Sequence, residues 1–322
     1  MQLLCSIRAS SLLYYFLRSQ KGEGVWMIPV NVCHLLPATL IKAEKSFEII
    51  DVCKKTLDID EEFILEQISN NPKRYAGLLS VRSYGKETPN QDFFQQLKAI
   101  APHLKIIDDA CLSFPNLESQ LPKEVDLELY STGYSKPVDL GYGGFGKFQT
   151  HLTNEHLDEV FHEKDLNQIN THYVQSIKKQ ERVDFKIFKI NWLNLGAIDE
   201  VNYIEQIKSN IDDARKHKHQ INEVYNSLLK PSFREKRLSS NWRYNIRVSN
   251  PKVVLNELTN NGLFASQHYF PLNKVFGHSS CPNWERVFDS LINLFNDNRF
   301  TVEQAETCCK IINQNAKEVT HL

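Results

Sequence analysis

Between residues 25 and 107 the chain alternates short apolar runs with amphipathic stretches, and no other feature narrows the choice of fold as much. Val25–Val30 is apolar and bounded by Gly24 and Pro29. Phe47–Val52, Tyr75–Tyr84 and Leu104–Ile107 repeat the pattern, and each reads as a strand. The stretches between the later runs have helical spacing. Asp60 stands where it can cap a helix over Glu61–Ser69, and Gln91–Ile100 puts Phe93, Phe94, Leu97 and Ile100 on one face. Strands interleaved with helices make right-handed βαβ units and a mainly parallel sheet. Such sheets bind ligands outside the carboxyl ends of their strands. Asp109, Arg82 and His34 are expected at that edge.

Composition bounds the rest. With 322 residues, 41% hydrophobic and 24% charged, the chain can bury a sizeable core and is long enough for two domains. A net charge of −1 gives no general field for nucleic acid or for an acidic membrane surface. Seven cysteines, with Cys308 and Cys309 adjacent, form no regular disulfide framework, which points to reduced thiols and a cytoplasmic location. The opening MQLLCSIRASSLLYYFLR has no basic start and is interrupted by Arg8, so it reads as a buried helix rather than a signal peptide. No other run approaches a membrane span. Ser10 and Ser11 precede an apolar face containing Leu12, Leu13, Phe16 and Leu17, and are expected to cap that helix. The N–H groups of such a start can also hold a phosphate.

The most informative chemistry lies in Leu104–Gly146. One apolar run ends in Asp108 and Asp109. A second, Val125–Tyr130, leads to Ser131, Thr132 and Gly133, then to Lys136 in front of Pro137. Glycines 141, 143, 144 and 146 follow. Proline biases Lys136 away from helical dihedrals and so fixes its exit direction. A carboxylate at one strand end and a lysine past another, with small residues around both, suit a pocket for a carbonyl cofactor. The run from Gly141 to Lys147 also fits the spacing of a nucleotide-hydrolase phosphate loop. That loop needs Ser or Thr next, and Phe148 stands there. Paired zinc-type Cys-x-x-Cys, a G-x-S-x-G elbow and a basic–aromatic nucleic-acid face are all absent.

On these residues the stretch resembles the core of the DegT/StrS-type sugar aminotransferases, pyridoxal-phosphate (PLP) enzymes. Asp108-Asp109-Ala110, Ser131 five positions before Lys136, and Gly143-Gly144 carry the likeness. So do Asp51-Val52 with Thr56-Leu57 and Asp60, and Cys281-Pro282 with Glu285. The resemblance implies an α/β, aspartate-aminotransferase-like (fold-type I) PLP domain over 1–198 and a smaller C-terminal α/β domain over 199–322. It makes Lys136 the residue that joins the cofactor and Asp109 the partner of its ring nitrogen. It makes Ala9, Ser10 and Ser131 phosphate contacts. Asn191 corresponds to an asparagine that reaches the phosphate in a partner subunit, which implies a homodimer with shared sites. Asn191 is also expected to open a long helix, roughly Val201–Leu229.

Where the family has an aromatic that stacks on the ring, this chain has Cys33 and then His34; either His34 stacks or the ring is held less firmly. The donor to the ring hydroxyl is replaced by Leu112, and an arginine by Leu193. His268 and Tyr269 are the candidate sugar contacts. The chain starts close to the first helix, so no N-terminal arm over the substrate site is implied. The implied activity is transfer of an amino group from glutamate to a nucleotide-linked keto-sugar. The alternative is a protein of this fold that binds cofactor or ligand without transaminating. Dehydration fits less well, because that branch replaces the lysine with histidine. Further on, Thr150–Ile187 is expected to be helical in part, Asn241–Val248 a half-buried strand, and Thr301–Ile312 a closing helix capped by Thr301.

Overall fold

The computed structural model describes residues 1–152, 163–193 and 198–319. Its main sheet contains β1 (Gln2–Ser6), β2 (Val25–Pro29), β3 (Ser46–Ile50), β4 (Tyr75–Val81), β5 (Lys105–Asp109), β6 (Leu127–Ser131) and β7 (Gly144–Phe148). The order is β1-β7-β6-β5-β4-β2-β3. β3, β2, β4, β5 and β6 are parallel, as the alternation predicts. β7 runs antiparallel to both β6 and β1. The crossovers include α1 (Ala9–Ser19), α2 (Leu35–Lys42), α3 (Glu61–Asn70) and α4 (Gln91–Ile100). Asp60 caps α3 by accepting from the Phe63 N–H at 3.1 Å, as its position suggests.

Two sequence expectations change near the chain start. Residues 2–6 are a strand rather than part of a buried helix, because antiparallel pairing with β7 satisfies their backbone. The helix begins only at Ala9, with Arg8 at its N-cap. Ser10 and Ser11 therefore lie inside the first turn, and no side chain caps it. β7 itself falls in the glycine-rich run, where the sequence gives no strand signal.

After β7 come α5 (Glu163–Lys179) and α6 (Glu200–Leu228). The long helix is capped by Asp199, not opened at Asn191. Its first half packs Tyr203 and Ile207 on Tyr130 and Phe145 of the main sheet. Its second half packs Ile221 and Tyr225 on a separate core. That core is built on β8 (Tyr244–Arg247), α7 (Pro251–Asn260), β9 (Ala265–Ser266), β10 (Leu291–Leu294) and α10 (Val302–Asn315), whereas α8 (Leu272–Phe276) and α9 (Pro282–Phe288) pack Leu272, Val275, Phe276, Trp284 and Val287 into the core of the main sheet. The small sheet has the order β8-β10-β9. Thr301 and Gln304 form a capping box at α10. The carboxylate of Asp51, just past β3, accepts from the Asn283 and Trp284 N–H groups at 2.9 and 3.1 Å. It thereby caps α9 and ties it to the main sheet.

Side chains alternate along a strand, so Asp108 and Asp109 face opposite ways. Asp108 lies directly across from Glu128, and Glu128 across from Lys147. Two acids side by side repel. Arg82 relieves this by pairing with Asp108 at 2.6 Å and Glu128 at 2.7 Å, while Lys147 sits 3.0 Å from Glu128. All four are buried. Burial still pushes the Asp108 carboxyl up to about 6, against the pull of Arg82. This arrangement corrects the expectation for Arg82, which turns into the cluster instead of facing a ligand. It also explains Lys147, an ion-pair partner within a strand rather than the lysine of a phosphate loop.

Removing one member of a buried ionic cluster leaves its partners uncompensated. Arg82→Met should destabilise the chain by about 3–5 kcal/mol, read from the urea midpoint at constant m. Lys218 of α6 is buried, donating to the Asn296 side chain at 2.9 Å and to the Trp242 carbonyl at 3.2 Å. Burial, then the neighbouring Arg243, pushes its pKa down to about 7. The unfolded chain then holds more protons than the folded one between about pH 7 and the ordinary lysine range. Stability should therefore rise with pH across that window, by on the order of a few kcal/mol, and Lys218→Met should lose this rise in melts at successive pH values.

Candidate active site

The carboxyl ends of β2, β4, β5 and β6 and the start of α1 surround one cavity of about 410 Å³. This is the size and location expected of a ligand site in such a sheet. Asp109 enters from the end of β5, and Lys136 from the loop between β6 and β7. Ser131, Ala9 and Ser10 line the same space.

Each group is held by local structure. The Asp109 carboxylate accepts the Cys111 N–H at 2.9 Å and is 5% exposed, so it is fixed and nearly dry. The lysine loop is fastened from several sides. Ser135, in the left-handed region with φ 62°, donates its N–H to Asp139 at 2.7 Å. Asp139 also accepts from Gly141 N–H at 2.9 Å and pairs with Arg299 at 3.2 Å. The Trp242 indole donates to the Ser135 carbonyl at 2.7 Å. The Ser131 hydroxyl accepts the Gly133 N–H at 3.3 Å.

The start of α1 is placed by glycine. A Cβ at position 144 would stand 2.5 Å from the Ala9 nitrogen, so only glycine lets β7 and the helix start touch. Gly143, with φ 93°, similarly admits the ring of Tyr203, whose hydroxyl lies 2.7 Å from Thr132 Oγ1. The result is a first turn that opens on the cavity with no side-chain cap and no acid in it. The N-terminal end of a helix, with the positive end of its dipole, suits an anion. Arg8 also lines the space, and burial lowers its pKa.

Of the other sequence candidates, Tyr269 lines the cavity, with φ 65° and its ring stacked 5.4 Å from Trp242. His268 is beside it, edge-on to Trp242 at 4.9 Å. Burial, then Arg243, pushes its pKa down to about 4, so it is uncharged at neutral pH. His34 does not line the cavity. Its ring stacks on Tyr173 of α5 at 4.0 Å and bonds Asn170 at 3.0 Å, which turns it away and leaves Cys33 and Leu35 on the wall. Asn191 is exposed, accepting from Lys42 at 3.1 Å, and lies outside this chain's own cavity.

Several lining residues carried no sequence signal beyond their place at strand ends. Asn31, just past β2, gives its amide N–H to the Leu57 carbonyl at 3.3 Å, while its oxygen has no partner among the described residues. The buried Ser83 hydroxyl, past β4, is likewise without a partner. Cys33, Cys111 and Leu112 complete the wall. Burial raises the Cys33 thiol pKa, but hydrogen bonding and charge from His34, with help from Leu35 N–H and Lys136, outweigh it and leave the pKa lowered.

The sequence matches no protein-family model and no curated protein sequence. Solved structures do resemble it. A protein from Bacillus cereus ATCC 10987 described as a PLP-dependent aminotransferase superposes with a TM-score of 0.71 at 15% identity, covering 97% of this chain and 86% of that one. The chain has the fold of the PLP-dependent aminotransferases. A DegT DnrJ EryC1 StrS aminotransferase from Brucella abortus gives 0.66 at 15% identity, over 98% and 86%. The E. coli GDP-4-keto-6-deoxy-D-mannose-3-dehydratase, solved with hydrated PLP, gives 0.64 at 14%, over 97% and 87%. The expected fold class is thereby established.

Gly144→Ala should destabilise the protein by about 1–3 kcal/mol, because the added carbon meets backbone that has to move. Gly133→Ala, whose Cβ would sit 3.6 Å from its nearest neighbour, should stay within about 0.5 kcal/mol. Urea melts of the two variants check the contrast.

Proposed function

We propose that the chain is a PLP-dependent aminotransferase that moves an amino group from glutamate to a nucleotide-linked keto-sugar. The observation that carries this reading is one cavity lined at once by Asp109, Lys136, Ser131 and the uncapped start of α1. The residues fit the cofactor chemically: an acid for a ring nitrogen, an amine for an aldehyde, and N–H groups for a phosphate. When bound, PLP supplies an electron sink for charge developing on the substrate carbon.

The chain's own residues do the rest. Asp109 holds a proton at the ring nitrogen. Lys136 would hold the aldehyde end of the cofactor through its amine, and that amine would also be the base that moves a proton at the substrate carbon. Ser131 and the N–H groups of Ala9 and Ser10 hold the phosphate. Asn191 of a second copy completes the cradle if two chains pair about a two-fold axis, with the site shared. Tyr269, on the wall, and His268 behind it are the candidate sugar contacts. The sugar and donor assignments rest on the motif resemblance, as does the division at 198/199. We place the protein in the cytoplasm on its seven unpaired cysteines.

A second reading, binding without turnover, is favoured by Leu112 and Cys33, which line the cavity where the resemblance puts a polar donor and an aromatic. Borohydride treatment of the PLP-loaded protein, followed by peptide mass spectrometry, should find a phosphopyridoxyl group on the Lys136 peptide. Its absence there would defeat the aminotransferase reading. Loss of the yellow colour on adding glutamate supports turnover, and indifference to every amino donor supports binding alone. Asp109→Asn should lower turnover by at least roughly 100-fold.

A further inference from the structure

Beside the cavity lies a second cleft, of about 480 Å³. Its walls come from the loop after β3, the turn after β4 and the loop before β8. Lys55, Lys86, Lys236 and Arg237 line it, with Asp58 the one acid among the lining residues. On a chain of net charge −1 this is a local concentration of positive charge. Lys86 is engaged with Asp58 at 2.7 Å, and Arg237 with Glu235. Lys55 and Lys236 are exposed and have no partner among the described residues.

The cleft is preformed. Leu57, buried at φ 61°, holds the first loop in a left-handed turn closed by Cys53 N–H to the Asp58 carbonyl at 2.8 Å. Asn31 ties that loop to the cavity through the Leu57 carbonyl at 3.3 Å, and Arg237 ties it to the third wall through the Lys54 carbonyl at 3.0 Å. Ser83 lines both the cavity and the cleft. It is 5% exposed, and its hydroxyl has no partner among the described residues. A buried hydroxyl left unpaired is costly, and at this joint a polar ligand would satisfy it.

We propose that the cleft seats a phosphate or diphosphate group carried by the same ligand that reacts in the cavity. Lys55 and Lys236 are its free cationic contacts, and Ser83 stands where the ligand passes from one space to the other. Two free lysines beside two ion-paired cations suit a multiply charged anion better than a single carboxylate. The inference rests on reading the cavity as the substrate site, and it specifies where the substrate's charge lies.

The test is calorimetric titration of the PLP-loaded protein with inorganic pyrophosphate and with uridine diphosphate. Wild type is compared with Lys55→Glu/Lys236→Glu. Both ligands should bind the wild type and weaken at least tenfold in the double variant. Equal binding by the two proteins, or no binding by wild type, overturns the proposal. Pyrophosphate binding without uridine diphosphate binding also overturns it, since the site would then take a free anion rather than one borne by a substrate. Lys55→Gln/Lys236→Gln serves if charge reversal disturbs folding. The Lys136 adduct is measured separately and the titrations are repeated without PLP, so failure of the cleft and failure of the cofactor reading give different results.

Discussion

The first turn of α1 rests directly on β7, and the arrangement of the cavity follows from that contact. Two backbones can approach this closely only where one has no Cβ, and Gly144 supplies that place. β7 in turn stands between β1 and β6 and runs antiparallel to both. The glycines that make β7 unrecognisable as a strand are thus the ones that bring uncapped N–H groups to the sheet edge. Propensity and packing conflict at this point of the chain, and packing wins. Such local inconsistencies are expected where a site is built.

The opposite face of the same strands shows how the sheet tolerates charge. Asp109 can serve the cavity because its neighbour Asp108 points away and is neutralised by Arg82. Adjacent acids at one strand end would otherwise compete for the same space. Period-two alternation separates a buried electrostatic knot from a chemical group, with one peptide unit between them.

The parallel core was legible because apolar runs and helix signals repeat there with little interference. α4 spans the residues its periodicity marks, and Asp60 and Thr301 cap as their positions suggest. Asp109 and Ser131 could be picked out because they fall at strand ends, and Lys136 because it follows Ser131 at a recognisable spacing in the next loop. His34 could not be placed, because its direction is decided by Tyr173 and Asn170, far away in the sequence. Arg82 was misread for the same reason: nothing local reveals that Asp108 and Glu128 need a shared cation. Asn31 and Ser83 carry no motif at all, and only the three-dimensional wall shows that their oxygens are unpaired.

The lysine loop is moored by residues that lie far downstream. Ser135 is held by Trp242 and Arg299, more than a hundred positions later. During synthesis Lys136 emerges from the ribosome long before those moorings do. The loop that carries Lys136 therefore stays untethered until the downstream residues that hold it have been made.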